Sequence, residues 1–287
     1  MRSVPCSRGI CATLIALCLL LFLGGCTAPA RPTYTASEAE RAQIVGFENI
    51  RAHVDDPRPS EAVYASWRPV TGKQKPVMLA ISGSGAGGAF SVGVLSAWSE
   101  LGNRPRFEVV TGVSTGALIA PFAFLGPDYD ARLRRLYLSN EARNLVDINW
   151  RGLGVLSASL LQGKALKTMV EDNITDEILR EIAREHQKGR RLLVMTTNLD
   201  TQRAVVWNIG AIANSGREDA LALVRKILFA SASVPGIFPP VSIRTVVDGR
   251  QIHELHSDGG SSSRFLRCPN TYSSHQVKCA RRTSTSM

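Results

Sequence analysis

Gly112-Val113-Ser114-Thr115-Gly116 sets a serine between two glycines, with a short β-branched run before it and a long apolar run after it. A serine at the centre of a G-x-S-x-G spacing stands on a turn too tight for side chains at its flanks, and the glycines supply the missing side chains. Phe107-Glu108-Val109-Val110-Thr111 suits a buried strand, and Ala117-Leu118-Ile119-Ala120-Pro121-Phe122-Ala123-Phe124-Leu125 suits a buried helix. The pentapeptide therefore predicts a strand, a sharp turn and a helix in direct succession.

Elsewhere the chain alternates in the same way. Val77-Met78-Leu79-Ala80-Ile81 is a continuous apolar run suited to a strand buried on both faces, followed by a helix from about Ala89 to Leu101. A charged stretch from about Tyr129 to Gln187 is helical in pattern, with Asp172, Asn173 or Thr175 as caps. Arg191 to Asn198 and Ala204 to Asn208 read as further strands. Strands alternating with helices predict an α/β fold of three layers, a mainly parallel central sheet with helices on both faces. A chain of 287 residues, 44% of them hydrophobic, buries one sizeable core, so one folded domain is expected; no internal repeat is visible.

A formal charge of +10 raises the question of nucleic acid. Residues 1–26 hold Arg2 and Arg8, residues 264–287 hold Arg264, Arg267, Lys278, Arg281 and Arg282, and neither stretch holds an acid. Subtracting those two and five charges from +10 leaves +3 for the middle, with no basic stripe interleaved with aromatics. No nucleic-acid partner is expected.

Arg2 and Arg8 precede an apolar run from Ile10 to Leu23, too short for a comfortable membrane span and fitted to the core of a secretory signal. Leu23-Gly24-Gly25-Cys26 resembles the bacterial lipobox, where signal peptidase cuts before a cysteine that becomes lipid-modified. Residues 1–25 are thus expected to be a lipoprotein signal peptide, with Cys26 as the lipidated anchor to the membrane. Thr27, not an acid, follows, which by resemblance to lipoprotein sorting favours the outer membrane. Residues 26–75 carry Pro29, Pro32, Pro57, Pro59 and Pro69, with one polar helical stretch from Ser37 to about Ile50, and read as a tether and lead-in. The folded domain is expected over residues 76–263, and an atypical basic, Ser/Thr-rich tail over 264–287. Cys6, Cys11 and Cys18 fall in the signal, and no thiol lies between Cys26 and Cys268, as suits an exported core. Cys268 and Cys279 could join across a small loop.

Ser82-Gly83-Ser84-Gly85-Ala86-Gly87-Gly88 follows the first apolar strand and satisfies G-x-G-x-x-G at Gly83, Gly85 and Gly88, so dinucleotide binding has to be weighed. That chemistry needs an acid closing the second strand. Glu108 opens its strand instead, the expected position holds the serine turn, and no lysine follows the glycines to make a phosphate loop. The backbone N–H groups of Gly83, Ser84, Gly85, Ala86, Gly87 and Gly88, opening a helix, suit an oxyanion hole. Ser257-Asp258-Gly259-Gly260 supplies the complementary group, so that Ser114 and Asp258 read as nucleophile and base of a serine hydrolase working through an acyl-enzyme. A carboxylate is a weak base for a hydroxyl and serves only if held close, oriented and partly desolvated.

Ser82 to Leu95, Gly112 to Gly116, Ala230-Ser231-Ala232-Ser233-Val234-Pro235-Gly236-Ile237-Phe238-Pro239-Pro240 and Asp258-Gly259-Gly260 occur in the order seen in patatin-like phospholipases, which the chain resembles from about Val77 to Gly260. The resemblance implies a lipid acyl hydrolase of phospholipase A or esterase type, acting on lipid acyl esters with no cofactor and no metal. It assigns Ser114 as nucleophile, Asp258 as proton acceptor and Gly83 to Gly88 as oxyanion loop. It also implies that Thr196-Thr197-Asn198-Leu199-Asp200 forms the strand beside the nucleophile and that Phe238-Pro239-Pro240 packs near the mouth of the site. The family's three successive glycines are broken here by Ser84, and Gly87 stands where relatives carry an arginine; backbone donors survive both changes. Relatives continue past the Asp-Gly-Gly motif into further core elements, whereas Ser261-Ser262-Ser263 leads here into the basic tail, so the fold is expected to be incomplete at its C-terminus.

An α/β-hydrolase of order Ser, Asp, His needs a histidine after its acid, and only His275 follows Asp258. His253 and His256 read as solvated residues on one side of a strand, and His53 and His186 as surface residues. A reading of another class is a lipid-anchored envelope protein that binds acyl lipids without turning them over; the tail favours it and intact Ser114 and Asp258 oppose it. No metal cluster with ligand spacing is visible.

Overall fold

The computed structural model describes residues 31–54, 76–83, 85–138 and 155–262. The segment expected to be a signal peptide, Cys26, Ser84, Cys268, His275, Cys279 and the basic tail lie outside the described residues. The chain divides after Thr33, and the architecture below is that of the unit beginning at Tyr34.

Among the described residues seven strands make one mixed sheet: β1 (Arg51–His53), β2 (Met78–Ile81), β3 (Val109–Val113), β4 (Arg191–Asn198), β5 (Arg203–Asn208), β6 (Val241–Val247) and β7 (Arg250–Asp258). The helices are α1 (Ala36–Arg41), α2 (Gly88–Glu100), α3 (Thr115–Leu125), α4 (Asp130–Leu138), α5 (Val155–Asn173), α6 (Asp176–Gln187), α7 (Ile209–Ala213) and α8 (Ala220–Ser231). Strand order runs β1-β5-β4-β3-β2, with β7 also paired to β4 and β6 to β7. β2, β3 and β4 are parallel, aligning Met78 with Val109 and Val109 with Arg191. This is the parallel heart that the strand and helix alternation predicts, since helical crossovers are what join parallel neighbours. The β4–β5 and β6–β7 links are short turns, the first through Gln202 at φ 57 and the second through Asp248-Gly249 at φ 49 and 76, and such turns join antiparallel strands.

The steps from β2 to β3 and from β3 to β4 go the same way along the sheet, so right-handed crossovers place their helices on one face. There Val110, Val194 and Trp207 pack with Val92 and Leu95 of α2, Ile119 and Phe122 of α3, Ile182 of α6 and Ile227 of α8. α3 is apolar all round, and Gly116 to Phe124 are buried without exception, which is why it lies beneath the surface. Thr175 caps α6, its hydroxyl accepting from Ile178 N–H. The opposite face carries a second apolar set, Val109, Val113, Leu193, Met195 and Val206.

The lead-in departs from expectation. Its helix covers only Ala36–Arg41, started by a reciprocal Thr35/Glu38 capping box. Arg51, Ala52 and His53 then pair with Trp207, Val206 and Val205 of β5, so ordered sheet begins well before Pro76.

Candidate active site

β3 ends at Val113 and α3 begins at Thr115, which leaves Ser114 alone to reverse the chain at φ 55 and ψ −128. A residue with a Cβ held in such a region costs about 1–3 kcal/mol, so its surroundings must enforce it. Ser114 N–H donates to Ser231 Oγ at 3.1 Å, and the Ser231 hydroxyl donates in turn to the Met195 carbonyl at 2.7 Å. A Cβ on Gly112 would lie 2.5 Å from the Gly116 carbonyl oxygen, and one on Gly116 would lie 2.2 Å from that of Ile81. Both flanks are closed to any side chain. The Ser114 hydroxyl makes no cap to its own helix and instead donates to Asp258 Oδ2 at 2.5 Å.

Asp258 arrives on the last residue of β7, opposite Thr196 on β4. Its N–H donates to the Ser233 carbonyl at 2.8 Å, and its own carbonyl accepts from Thr197 Oγ1 at 2.9 Å. The other carboxylate oxygen accepts from Gly260 N–H at 2.6 Å. Gly259 is pressed against β4, where a Cβ would meet the Met195 oxygen at 2.4 Å. Burial pushes the Asp258 carboxyl above its usual range, with the hydrogen bonds from Ser114 and Gly260 opposing. The carboxylate is therefore in contact with a hydroxyl, fixed in orientation and more basic than an exposed aspartate.

The glycine turn lies against the same serine. A Cβ on Gly83 would stand 2.5 Å from Ser114 Cβ and 3.2 Å from Oγ. Gly85–Gly87, with Ala86 between, makes one 3-10 turn that feeds α2 at Gly88, and Thr115 Oγ1 donates to the Gly85 carbonyl at 3.3 Å. The elbow and this turn follow the C-terminal ends of adjacent parallel strands, where open α/β sheets place their ligands, and the positive end of α2 faces the same edge. Gly83, Gly88, Gly112, Ser114, Gly116, Asp258, Gly259 and Gly260 are thus brought together, with Gly85 and Gly87 on the turn between Gly83 and Gly88. Glu108 stands at the entry to β3, where its carboxylate accepts from Val77 N–H, the wrong end for a ribose.

Three supporting residues lie in segments that the family resemblance singles out, without a role assigned there: Ser231, Ser233 and Thr197, which hold Ser114 N–H, Asp258 N–H and the Asp258 carbonyl. The local signal for the two serines is the Ala230-Ser231-Ala232-Ser233 repeat, small residues ending a helix that abuts β4. The histidines also differ from expectation. Spaced by three, His253 and His256 lie on opposite faces of β7. His253 is partly exposed beside Ser242, whereas His256 is 0% exposed, with Nδ1 at 2.9 Å from Thr196 Oγ1 and Nε2 at 3.0 Å from Glu254 Oε2. His53 is buried in β1, and His186 packs half-buried against Gly210.

Apolar surface gathers nearby. A small apolar pocket is lined by Leu118, Phe122, Leu136, Tyr137 and Met169, and Tyr137 OH donates to the Thr115 carbonyl beside the elbow at 3.4 Å. Phe90, 76% exposed, follows the glycine turn, and Val234 is exposed next to Ser233. Among the described residues no group of three His, Cys, Asp or Glu could hold a metal, and no helix is long and apolar enough to cross a membrane.

Fold and site together define an α/β protein with a serine–aspartate pair at the carboxyl edge of its parallel strands. Residues 79–266 match the sequence model of the family described as patatin-like phospholipase, and the chain belongs to that family. No curated protein matches the sequence. The crystal structure of VipD from Legionella pneumophila is similar over 72% of this chain and 48% of its own, at 14% identity and a TM-score of 0.39, so the chain spans about half the length of that protein.

Proposed function

We propose that the protein is a lipid acyl hydrolase that uses Ser114 and Asp258 as a catalytic dyad. The observation that carries this reading is the direct contact, 2.5 Å, between a hydroxyl on a strained elbow and a buried, basic carboxylate. Asp258 accepts the Ser114 proton as Oγ attacks the acyl carbonyl, and the N–H groups of the Gly83 to Gly88 loop meet the oxyanion, each worth about 3–4 kcal/mol in the transition state. Collapse of the intermediate expels the alcohol, which takes the proton back from Asp258. Water, deprotonated by Asp258, then releases the acid from the acyl-enzyme. Membership of the family and the apolar side chains around the site support a lipid acyl ester as substrate.

Hydrolysis of p-nitrophenyl esters from acetate to palmitate tests this with the full chain, Ser114→Ala and Asp258→Asn. Expected are a preference for longer acyl groups and a loss of about 10³-fold or more in each variant. Full activity in either variant would remove that residue from the chemistry.

The Leu23-Gly24-Gly25-Cys26 lipobox supports a second part of the proposal, that the mature protein is anchored through lipidated Cys26 to the cell envelope, at the outer membrane. Labelled palmitate is expected to enter the wild-type chain and not Cys26→Ser; equal incorporation would refute the anchor.

A further inference from the structure

β7 delivers Asp258, yet its ladder with β4 is three pairs long, Thr196↔Asp258, Thr197↔Ser257 and Asn198↔His256, followed by Leu199 N–H donating to the Leu255 carbonyl at 2.8 Å and Leu255 N–H donating to Asp200 Oδ2 at 3.0 Å, while the rest of its length pairs with β6. A one-residue slip in so short a ladder would turn Asp258 to the other face of the sheet. A buried polar chain lies along the face that such a slip would reverse. Glu254, His256 and Asp258 alternate on one side of β7, and Thr196, directly opposite Asp258, shares that side.

The chain can be followed atom by atom. Trp207 Nε1 on β5 donates to Thr196 Oγ1 at 2.8 Å; an indole only donates, so the Thr196 proton is left for His256 Nδ1, 2.9 Å away. His256 then carries its proton on Nε2 and donates it to Glu254 Oε2 at 3.0 Å. Arg51 on β1 grips both oxygens of Glu254, at 2.6 and 2.9 Å, and Thr245 on β6 donates to Glu254 Oε1 at 3.2 Å. Arg51 also donates to the Ala42 carbonyl at 2.7 Å, tying in the segment before β1. Burial alone would raise the Glu254 carboxyl, but the Arg51 charge and the hydrogen bonds from His256 and Arg51 hold it at about 2; burial keeps His256 neutral. Each link is therefore satisfied in one protonation state, and the chain joins all five strands β1, β4, β5, β6 and β7.

We propose that Arg51, Glu254 and His256 are positioning residues that pin the register of β7 and so hold Asp258 against Ser114. Buried ionic groups are a weak source of net stability, and setting register is the best-attested role for them. Arg51 stands outside the family-matched residues 79–266, so part of the support for Asp258 comes from the segment ahead of the hydrolase region. The catalytic consequence rests on the proposed dyad; the register claim does not.

The test uses the full chain carrying Arg51→Met, Glu254→Leu and His256→Phe together, an apolar replacement of the whole chain, beside His256→Phe and His256→Gln alone. Gln keeps the donor to Glu254. Readouts are amide hydrogen exchange over Leu255 to Gly260 and the separate kcat and KM for ester hydrolysis. The triple variant is expected to unfold cooperatively near the wild-type temperature, yet to exchange about tenfold faster over Leu255 to Gly260 with β3 and β4 unchanged. Its kcat is expected to fall about 10- to 100-fold at unchanged KM, the size of a base misplaced by about 1 Å. Wild-type exchange and kcat in a folded triple variant would overturn the proposal. Should the triple variant not fold, the single variants decide: fast exchange in Phe with recovery in Gln supports the pin, and identical behaviour overturns it. An inactive wild-type chain would sink the hydrolase reading alone, with exchange still deciding the register claim.

Discussion

Ser114 occupies backbone space that glycine enters freely and other residues do not. Ser114→Gly is therefore expected to be more stable than Ser114→Ala by about 1 kcal/mol, both being inactive, as paired denaturant melts would show. Asp258 obeys the same trade. Its carboxyl is raised by burial, so the ionised native form is disfavoured and its contribution to stability falls as pH rises. Asp258→Asn removes that penalty and still offers groups to Ser114 and Gly260 N–H. It is expected to gain stability at neutral pH, seen as a higher Tm, while losing hydrolysis. A lower Tm in Asp258→Asn would mean that the carboxylate is structural. Ser231 carries no such conflict: its hydroxyl serves Ser114 N–H and the Met195 carbonyl at once, so Ser231→Ala takes the acceptor from a buried N–H and a donor from the carbonyl and is expected to cost about 2 kcal/mol.

At the level of elements, the elbow works because β3 and α3 approach with nothing between them. Gly116→Ala would drive a methyl group into the Ile81 backbone, which cannot yield as a side chain can, and about 3 kcal/mol or more of destabilisation is expected in urea titrations. The same closeness made this part of the fold legible from the residues alone: Gly112, Ser114 and Gly116 encode strand, turn and helix within five positions. The Asp248-Gly249 hairpin is equally local, and its turn chemistry is what adds antiparallel strands to a parallel heart. What stayed hidden depends on distance along the chain. Ser114 and Asp258 are 144 residues apart, and their pairing was legible because each sits in a short motif and the order of four motifs is shared with a family. Arg51 and Glu254 are 203 apart, neither sits in a motif, and a lone arginine in a Pro-rich lead-in carries no sign that it is buried. His256 misled for a related reason: a polar residue on a strand looks solvated until the partners that satisfy it, Thr196 and Glu254, are known.

For the whole molecule, buried neutral histidines set the response to acid. Burial lowers the pKa of His53, of His186 to about 4, and of His256, so below the ordinary value of 6.5 the unfolded chain takes up protons that the native chain refuses. Stability is expected to fall as pH drops through 6.5, by up to about 1.4 kcal/mol per pH unit for each fully excluded proton and by less at half-exposed His186. Glu254, depressed from 4.5 to about 2, adds a further loss as pH falls from about 4.5 towards 2, while Asp258 acts in the opposite sense. Thermal melts from pH 8 to pH 4.5 should show Tm declining below 6.5, and a flat profile would contradict these burials. The hydrolase reading itself turns on whether a carboxylate, with no histidine between, activates the serine. The most direct measurement is the rate and site of labelling by a fluorophosphonate, read by mass spectrometry on the full chain, Ser114→Ala and Asp258→Asn. One label on Ser114 in the wild type, none in Ser114→Ala and a rate about 10²- to 10⁴-fold lower in Asp258→Asn is the expected result. Labelling that persists in Ser114→Ala, or runs at the wild-type rate in Asp258→Asn, would contradict the dyad.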